Sequence, residues 1–308
     1  MLLHSLTFCS LSFVMRQLSL FDNNIPEKIP NVMSVPLRSP FRYPGGKTWL
    51  VPRIRQWLAR QSAPGVEFIE PFVGGGIVSL TVAFERLADR VTMVELDAEV
   101  AAVWQTILSG DREWLAQRIS TFIISPDSVD SVLSAVPVDR KEKAFKTIVK
   151  NRVNRGGILA AGAGKIKRGE KGKGLASRWY PDTLKRRILN IEQIRDRLTF
   201  IAGDGMAFLS QNAHRGDAVF FIDPPYTAAG KKAGTRLYAH SELNHEELFR
   251  IASTLSGDFL MTYDNIKEVR ELAHQFGFDT ETVAMKNTHH AKLTELLIGR
   301  NLDWVRSP

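Results

Sequence analysis

The 308-residue chain contains a single cysteine, Cys9. An intramolecular disulfide is thereby excluded, as is any zinc module built on several thiolates, and the chain fits a reducing compartment such as the cytoplasm. Long apolar runs are also missing. No window approaches the roughly 18 apolar residues of a membrane span. The opening stretch from Met1 to Val14 is interrupted by Ser5, Thr7, Ser10 and Ser12 and has no basic flank, so it does not read as a signal peptide. Acids are the scarcer charge, with 33 Asp plus Glu against 41 Lys plus Arg and a net charge of +8. That excess points to a polyanionic partner, nucleic acid first. With 44% hydrophobic and 24% charged residues the composition is that of a globular chain, which excludes wholesale disorder.

Residues 1–35 hold Pro26 and Pro30 and two alternative starts, Met15 and Met33, and are expected to form a disordered leader. Beyond them, Glu67 to Glu70 reads as a short strand ending at Pro71 and the cluster Gly74-Gly75-Gly76. A helical pattern with Val78, Val82, Phe84 and Leu87 follows, then a strand from Val91 to Leu96 and a helix that buries Val100, Val103, Trp104 and Ile107. Strand, glycine turn, helix and strand form a βαβ unit of a parallel sheet. The same rhythm resumes at Leu198 to Ala202. It continues with the apolar run Ala218 to Ile222, which is expected as a fully buried central strand, and then with alternating helices and strands to Gly299. The middle stretch is mostly helical. The chain therefore divides into a leader (1–35), an α/β core (36–109 and 198–308) and a helical insert (110–197).

Chemistry concentrates at three points. Asp223-Pro224-Pro225-Tyr226 ends the buried strand, where ligands sit in open α/β sheets. Two successive prolines remove two N–H donors, so the mouth accepts hydrogen bonds through the Asp223 carboxylate and the Pro224 carbonyl and suits a substrate amino group lying against Tyr226. The second point is Glu70-Pro71-Phe72-Val73-Gly74-Gly75-Gly76, whose glycines permit close approach of a ligand to the backbone. Glu95 ends the next strand, where nucleotide-binding βαβ units carry an acid for the ribose. The third place of the dinucleotide fingerprint is Ser79, which leaves an adenosine-type ligand open. The third point is Tyr43-Pro44-Gly45-Gly46-Lys47-Thr48. A phosphate-binding P-loop would need glycine where Phe41 stands, so an ATPase is rejected.

Together these segments resemble the Dam-type (D12 class) adenine-specific DNA methyltransferases, whose aromatic-x-Gly-Gly-Lys, Glu-Pro-Phe-x-Gly-x-Gly and Asp-Pro-Pro-Tyr motifs occur in this order, over about residues 38 to 300. Lys292 to Ile298 is similar to the family's closing strand. The resemblance implies a Rossmann-like methyltransferase core with an inserted, mainly helical DNA-recognition domain. It also implies S-adenosylmethionine as cofactor, S-adenosylhomocysteine as product and double-stranded DNA as partner. By motif position Tyr43, Lys47, Glu70, Gly74, Gly76, Glu95, Asp204 and Asp223 would bind the cofactor. Asp223, Pro224 and Tyr226 would act on the N6 amine of an adenine flipped out of the duplex, and the segment Thr227 to Ala239 would close over it.

The basic run Lys165, Lys167, Arg168, Lys171, Lys173 and Arg178, opposed only by Glu170, is expected on the DNA surface. Asn151, Arg152, Asn154 and Arg155 are candidates for base contacts. Cytosine C5 methylation is excluded, because its cysteine nucleophile would have to be Cys9. No metal is expected: His289 and His290 are adjacent and so point to opposite faces of a strand, and neither they, His240 nor His245 has an acid or Cys at ligand spacing. A monomer acting on DNA in the cytoplasm is the expectation. Cytosine N4 or RNA as substrate, and a silent DNA-binding relative, remain alternatives.

Overall fold

A computed structural model describes residues 35–61, 65–225, 243–286 and 292–306. Seven strands form one sheet: β1 (Glu67–Glu70), β2 (Arg90–Glu95), β3 (Leu198–Ala202), β4 (Ala218–Ile222), β5 (Phe259–Asp264), β6 (Asp279–Lys286) and β7 (Lys292–Gly299). Their order is β3-β2-β1-β4-β5-β7-β6. The pairs β3-β2, β2-β1, β1-β4 and β4-β5 are parallel, whereas β7 runs antiparallel to both β5 and β6. Strand order reverses between β1 and β4, so a crevice opens at their carboxyl ends.

Burial on both faces explains why β4 reads as an unbroken apolar run. Its side chains alternate across the sheet. Val219 and Phe221 join Phe68, Val91 and Leu260 on one face. Phe220 and Ile222 join Ile69 and Met261 on the other. The second face is covered by α8 (Gly205–Gln211), α9 (His245–Thr254) and α10 (Lys267–Gln275), through Leu209, Phe249 and Val269.

The first face carries α1 (Val51–Leu58), α2 (Ile77–Phe84) and α3 (Ala98–Leu108), whose Ile54, Leu80 and Trp104 are buried in the cluster. The same cluster takes in α4 (Arg112–Thr121), α5 (Pro126–Ser134), α6 (Arg140–Val153) and α7 (Pro181–Asn190) through Leu115, Val129, Ile148 and Ile188. The helical segment and the sheet thus share apolar contacts. A last short helix, α11 (Asp303–Arg306), is anchored by Arg306, which pairs with Asp279 and Glu281 of β6. Among the described residues no helix is long and apolar enough to cross a membrane.

The shared cluster generates a test. Phe145 of α6 is 1% exposed, stacks edge-on to Phe122 at 5.3 Å and lies under the Arg118 guanidinium. Phe145→Ala is expected to destabilise by about 3–5 kcal/mol, the usual range for a large core truncation. Urea unfolding followed by both circular dichroism and fluorescence should retain one transition. Two separated transitions would show that the helices hold together independently of the sheet.

Candidate active site

The carboxyl ends of β1, β2 and β4 open into a cavity of about 560 Å³ whose walls include Tyr43, Lys47, Gly74, Glu95, Asp204 and Asp223. All eight residues expected to contact the cofactor line it, Glu70 among them although it is only 4% exposed.

The glycine loop between β1 and α2 is held from both sides. Gly74 has φ +47° and Gly76 φ +63°, a region open to glycine at little cost. A Cβ on Gly76 would lie 2.7 Å from the Trp104 ring, and one on Gly74 would lie 2.6 Å from the Tyr43 ring. The loop is also tied by hydrogen bonds. Gly74 N–H donates to Glu95 Oε2 at 2.8 Å, and Trp104 Nε1 donates to the Gly74 carbonyl at 2.9 Å.

Glu95 stands at the end of β2 and is 9% exposed. Its other oxygen accepts the Asp97 N–H at 2.9 Å. Burial pushes its carboxyl up to about 7 against the pull of those N–H groups. Asp97 in turn caps α3, accepting from the N–H groups of Glu99 and Val100. Asp204 does the same for α8, accepting from Met206 and Ala207, and it stays exposed on the cavity wall. The cavity edge formed by β2 and β3 is therefore a row of acceptors.

The opposite edge is ionic. Lys47, in a short 3-10 turn, is 2% exposed, and its Nζ lies 2.9 Å from Asp223 Oδ1 and donates to the Gly45 carbonyl at 2.9 Å. Thr262 of β5 donates to the same Asp223 oxygen at 2.7 Å. Two further carboxylates border this pair. Glu295 of β7 brings Oε2 to 3.7 Å from Lys47 Nζ, and among the described residues this Oε2 has no hydrogen-bond partner. Burial raises Glu295 to about 7; Lys47 opposes the rise, and Asp223 and Asp264 add to it. Glu70 turns away toward α2, where its Oε2 accepts both the N–H of Ser79, at 3.0 Å, and the Ser79 hydroxyl. Its carboxyl is pushed up to about 8, chiefly by burial.

Sequence reasoning missed Glu295 as a neighbour of Lys47. The signal was a lone acid directly before the apolar run Leu296-Leu297-Ile298. Tyr226, the segment Thr227 to Ala239, His240, His289, His290 and the leader 1–34 lie outside the described residues. His245 sits at the start of α9, its Nδ1 2.9 Å from the Tyr263 hydroxyl. Among the described residues no group of three or more His, Cys, Asp or Glu is arranged to hold a metal.

The residues expected to meet nucleic acid divide into two sets. Arg155, Lys171 and Lys173 are exposed. Lys165 is exposed but paired with Asp130, and Arg178 is half-buried and paired with Glu170. Asn154, by contrast, is 4% exposed and donates its amide to the Ile158 carbonyl at 2.8 Å. Asn151 is fully buried and clamps the Arg42 backbone, accepting its N–H and donating to its carbonyl, both at 2.9 Å. Arg152 is 3% exposed and donates to the Pro40 carbonyl. These three buried side chains are engaged with backbone groups of neighbouring loops.

Residues 43–122 and 139–287 match the model of the D12 class N6 adenine-specific DNA methyltransferase family. The chain belongs to this family. It is 25% identical over 275 residues to the DNA N-6-adenine-methyltransferase of Escherichia phage P1, an alignment that covers 83% of this chain and 33% of that protein. The chain thus spans about a third of the length of its phage relative. Among solved structures it is similar to the rRNA methyltransferase AviRa from Streptomyces viridochromogenes (15% identity, TM-score 0.36, 84% of this chain and 86% of that one). It is also similar to a methyltransferase from Geobacter sulfurreducens (15% identity, TM-score 0.36, 85% and 81%).

The buried acid of β1 provides a pH test. The folded value of Glu70, about 8, exceeds its unfolded value of about 4.3. The stability it contributes is therefore present below about pH 4.3 and is lost as pH rises through about 8. Glu70→Gln, which keeps an acceptor for Ser79, should unfold progressively later than wild type as pH is raised across that window. A stability difference that does not change with pH would mean that Glu70 is ionised throughout.

Proposed function

We propose that the chain transfers a methyl group from S-adenosylmethionine to the N6 amine of an adenine in duplex DNA. The observation that carries this reading is Asp223: an acceptor at the end of the central strand, fixed by Thr262 and Lys47, at one edge of a cavity whose other edge is the glycine loop.

The residues present fit the cofactor. A loop without Cβ atoms offers backbone to an extended ligand, Glu95 offers acceptors at a strand end for ribose hydroxyls, and Asp204 lies one strand further on for the adenine. S-adenosylmethionine, when bound, supplies an electrophilic methyl group on a sulfonium. Tyr43 packs over Gly74 and Gly75 and closes this part of the cavity with an aromatic face.

The amine to be methylated is a weak nucleophile, because its lone pair is delocalised into the ring. Asp223 and the Pro224 carbonyl accept its two hydrogens, which favours a pyramidal nitrogen with its lone pair available. Positive charge then grows on that nitrogen beside the Asp223 carboxylate. Thr262 holds the acceptor oxygen in place before the reaction, so little reorganisation is needed as charge develops. Tyr226 stacks on the extruded base, and taking the base out of the duplex brings the amine within reach. Positioning and electrostatics carry the rate, with no covalent intermediate on the protein. The helices of residues 110–197 act as the target-recognition part, with Arg155, Lys171 and Lys173 on its exposed surface.

Asp223→Ala is expected to reduce turnover by at least about 10²–10³, the range for loss of one preorganised electrostatic partner, with a much smaller effect on DNA affinity. Asp223→Asn keeps the size but replaces one acceptor with a donor, and it should be impaired while folding normally. The assay is transfer of labelled methyl to duplex DNA followed by nucleoside analysis. N6-methyladenine from wild type and almost none from either variant is the expected result. N4-methylcytosine would instead assign the exocyclic amine of cytosine, and wild-type rates in both variants would remove Asp223 from the mechanism.

A further inference from the structure

Several arginines of this chain are matched to carboxylates: Arg55 to Glu85, Arg215 to Asp217 and Glu67, Arg250 to Glu247, Arg306 to Asp279. Three that gather beside the active-site cavity are not. Arg187 of α7 donates Nη1 to the Ser39 carbonyl at 3.0 Å, and Arg152 of α6 donates Nη2 to the next carbonyl, that of Pro40. Arg42 follows two residues along the same segment, which Asn151 clamps in place. Two guanidinium groups seated on consecutive carbonyls, with a third alongside, concentrate positive charge in one place.

None of the three is ion-paired among the described residues. Glu170, the acid that acts on Arg42, is already paired with Arg178. Hydrogen-bond donors are left over as well: Nη1 of Arg42 and Nε of Arg152 are buried without a partner among the described residues. Arg152 is only 3% exposed; burial, reinforced by Arg187 and Arg42, pulls its guanidinium down to about 9. Buried like charges with unused donors are strongly unfavourable unless a countercharge arrives. Guanidinium forks suit the oxygens of a phosphate or carboxylate, which accept two hydrogen bonds side by side. Arg42 and Arg187 both line the cavity itself.

We propose that Arg42, Arg152 and Arg187 form an oxyanion-binding site on the wall of the active-site cavity. On the methyltransferase reading above, its occupant is a phosphate flanking the extruded nucleotide; the second source of the same chemistry is the carboxylate of the cofactor's amino-acid end. Bound there, a phosphate would fix the strand on one side of the target base while Asp223 holds the amine on the other. The site would thus act on the position of the base rather than on its identity.

The test uses the full chain with inorganic phosphate as the first probe. Millimolar phosphate should raise the Tm of wild type above that in chloride of equal ionic strength, and Arg187→Ala and Arg42→Ala should lose that difference. Binding of duplex DNA over a salt series should show a log-log slope lower by about one in each variant if the anion is a phosphate. Calorimetry with S-adenosylhomocysteine should then be unchanged. A tenfold or greater loss of S-adenosylhomocysteine affinity with an unchanged DNA slope would assign the site to the carboxylate instead. No phosphate effect on wild type, together with unaltered DNA slope and S-adenosylhomocysteine affinity in both variants, would overturn the proposal. The phosphate arm needs no methyl transfer, so it succeeds or fails independently of the N6-adenine reading. Arg187→Lys, which keeps the charge and removes the fork, stands in if Arg187→Ala does not fold.

Discussion

Burial of the Lys47 ammonium is the constraint around which the carboxyl end of the sheet is organised. A cation at 2% exposure persists only with partners arranged around it. One is local, the Gly45 carbonyl of its own turn, and two come from distant parts of the chain, Asp223 after β4 and Glu295 of β7. Three carboxyl groups, those of Glu70, Asp223 and Glu295, then share the field of one ammonium, and burial favours the protonated form of the two that lie deepest. Asp223 is the member least enclosed, and the Thr262 hydroxyl holds the same oxygen that Lys47 approaches. It is thereby the carboxylate to which Lys47 and Thr262 give a fixed place at the cavity edge.

The other edge is built on shape rather than charge. Gly74 and Gly76 let Tyr43 and Trp104 come so close that no side chain would fit between, and the Trp104 indole and the Glu95 carboxylate fasten the loop to α3 and β2. Glu95 would therefore have two tasks, since the carboxylate proposed for a ribose also sets the loop that would receive the rest of the ligand. Removing it would disturb both at once. Asp204, whose carboxylate caps α8, likewise combines a helix-terminal role with a position on the cavity wall.

How far the sequence reveals this depends on the range of the contact. Strands, helices and the three motifs were legible because glycine, proline and acid placement at strand ends is local. The insertion of β7 between β5 and β6 is not local, and with it the approach of Glu295 to Lys47. The clustering of Arg42, Arg152 and Arg187 depends on segments more than a hundred residues apart. The burial of Asn151 and Arg152 escaped notice for a different reason. Polarity was taken as exposure, although Asn151 lies three residues after Ile148 and seven after Ala144, on the stripe that α6 buries. A polar residue on an apolar stripe signals a buried clamp, and Asn151 is one.

The two inferred ligands make opposite electrostatic demands on one cavity. A row of ionised carboxylates would repel a DNA phosphate, whereas an arginine cluster would repel a sulfonium cation. The fold answers these demands with different groups on different sides of the cavity. Glu70, Glu95 and Glu295 are buried, and burial moves them to about 8, 7 and 7, so near neutral pH part of their charge is suppressed by protons rather than by salt. The arginines lie along the segment 39–42 and on α6 and α7, on the side of the cavity formed by the helical layer, with no acid paired to them among the described residues. Asp223, balanced by Lys47, is left as the carboxylate placed to respond when positive charge appears on a bound amine.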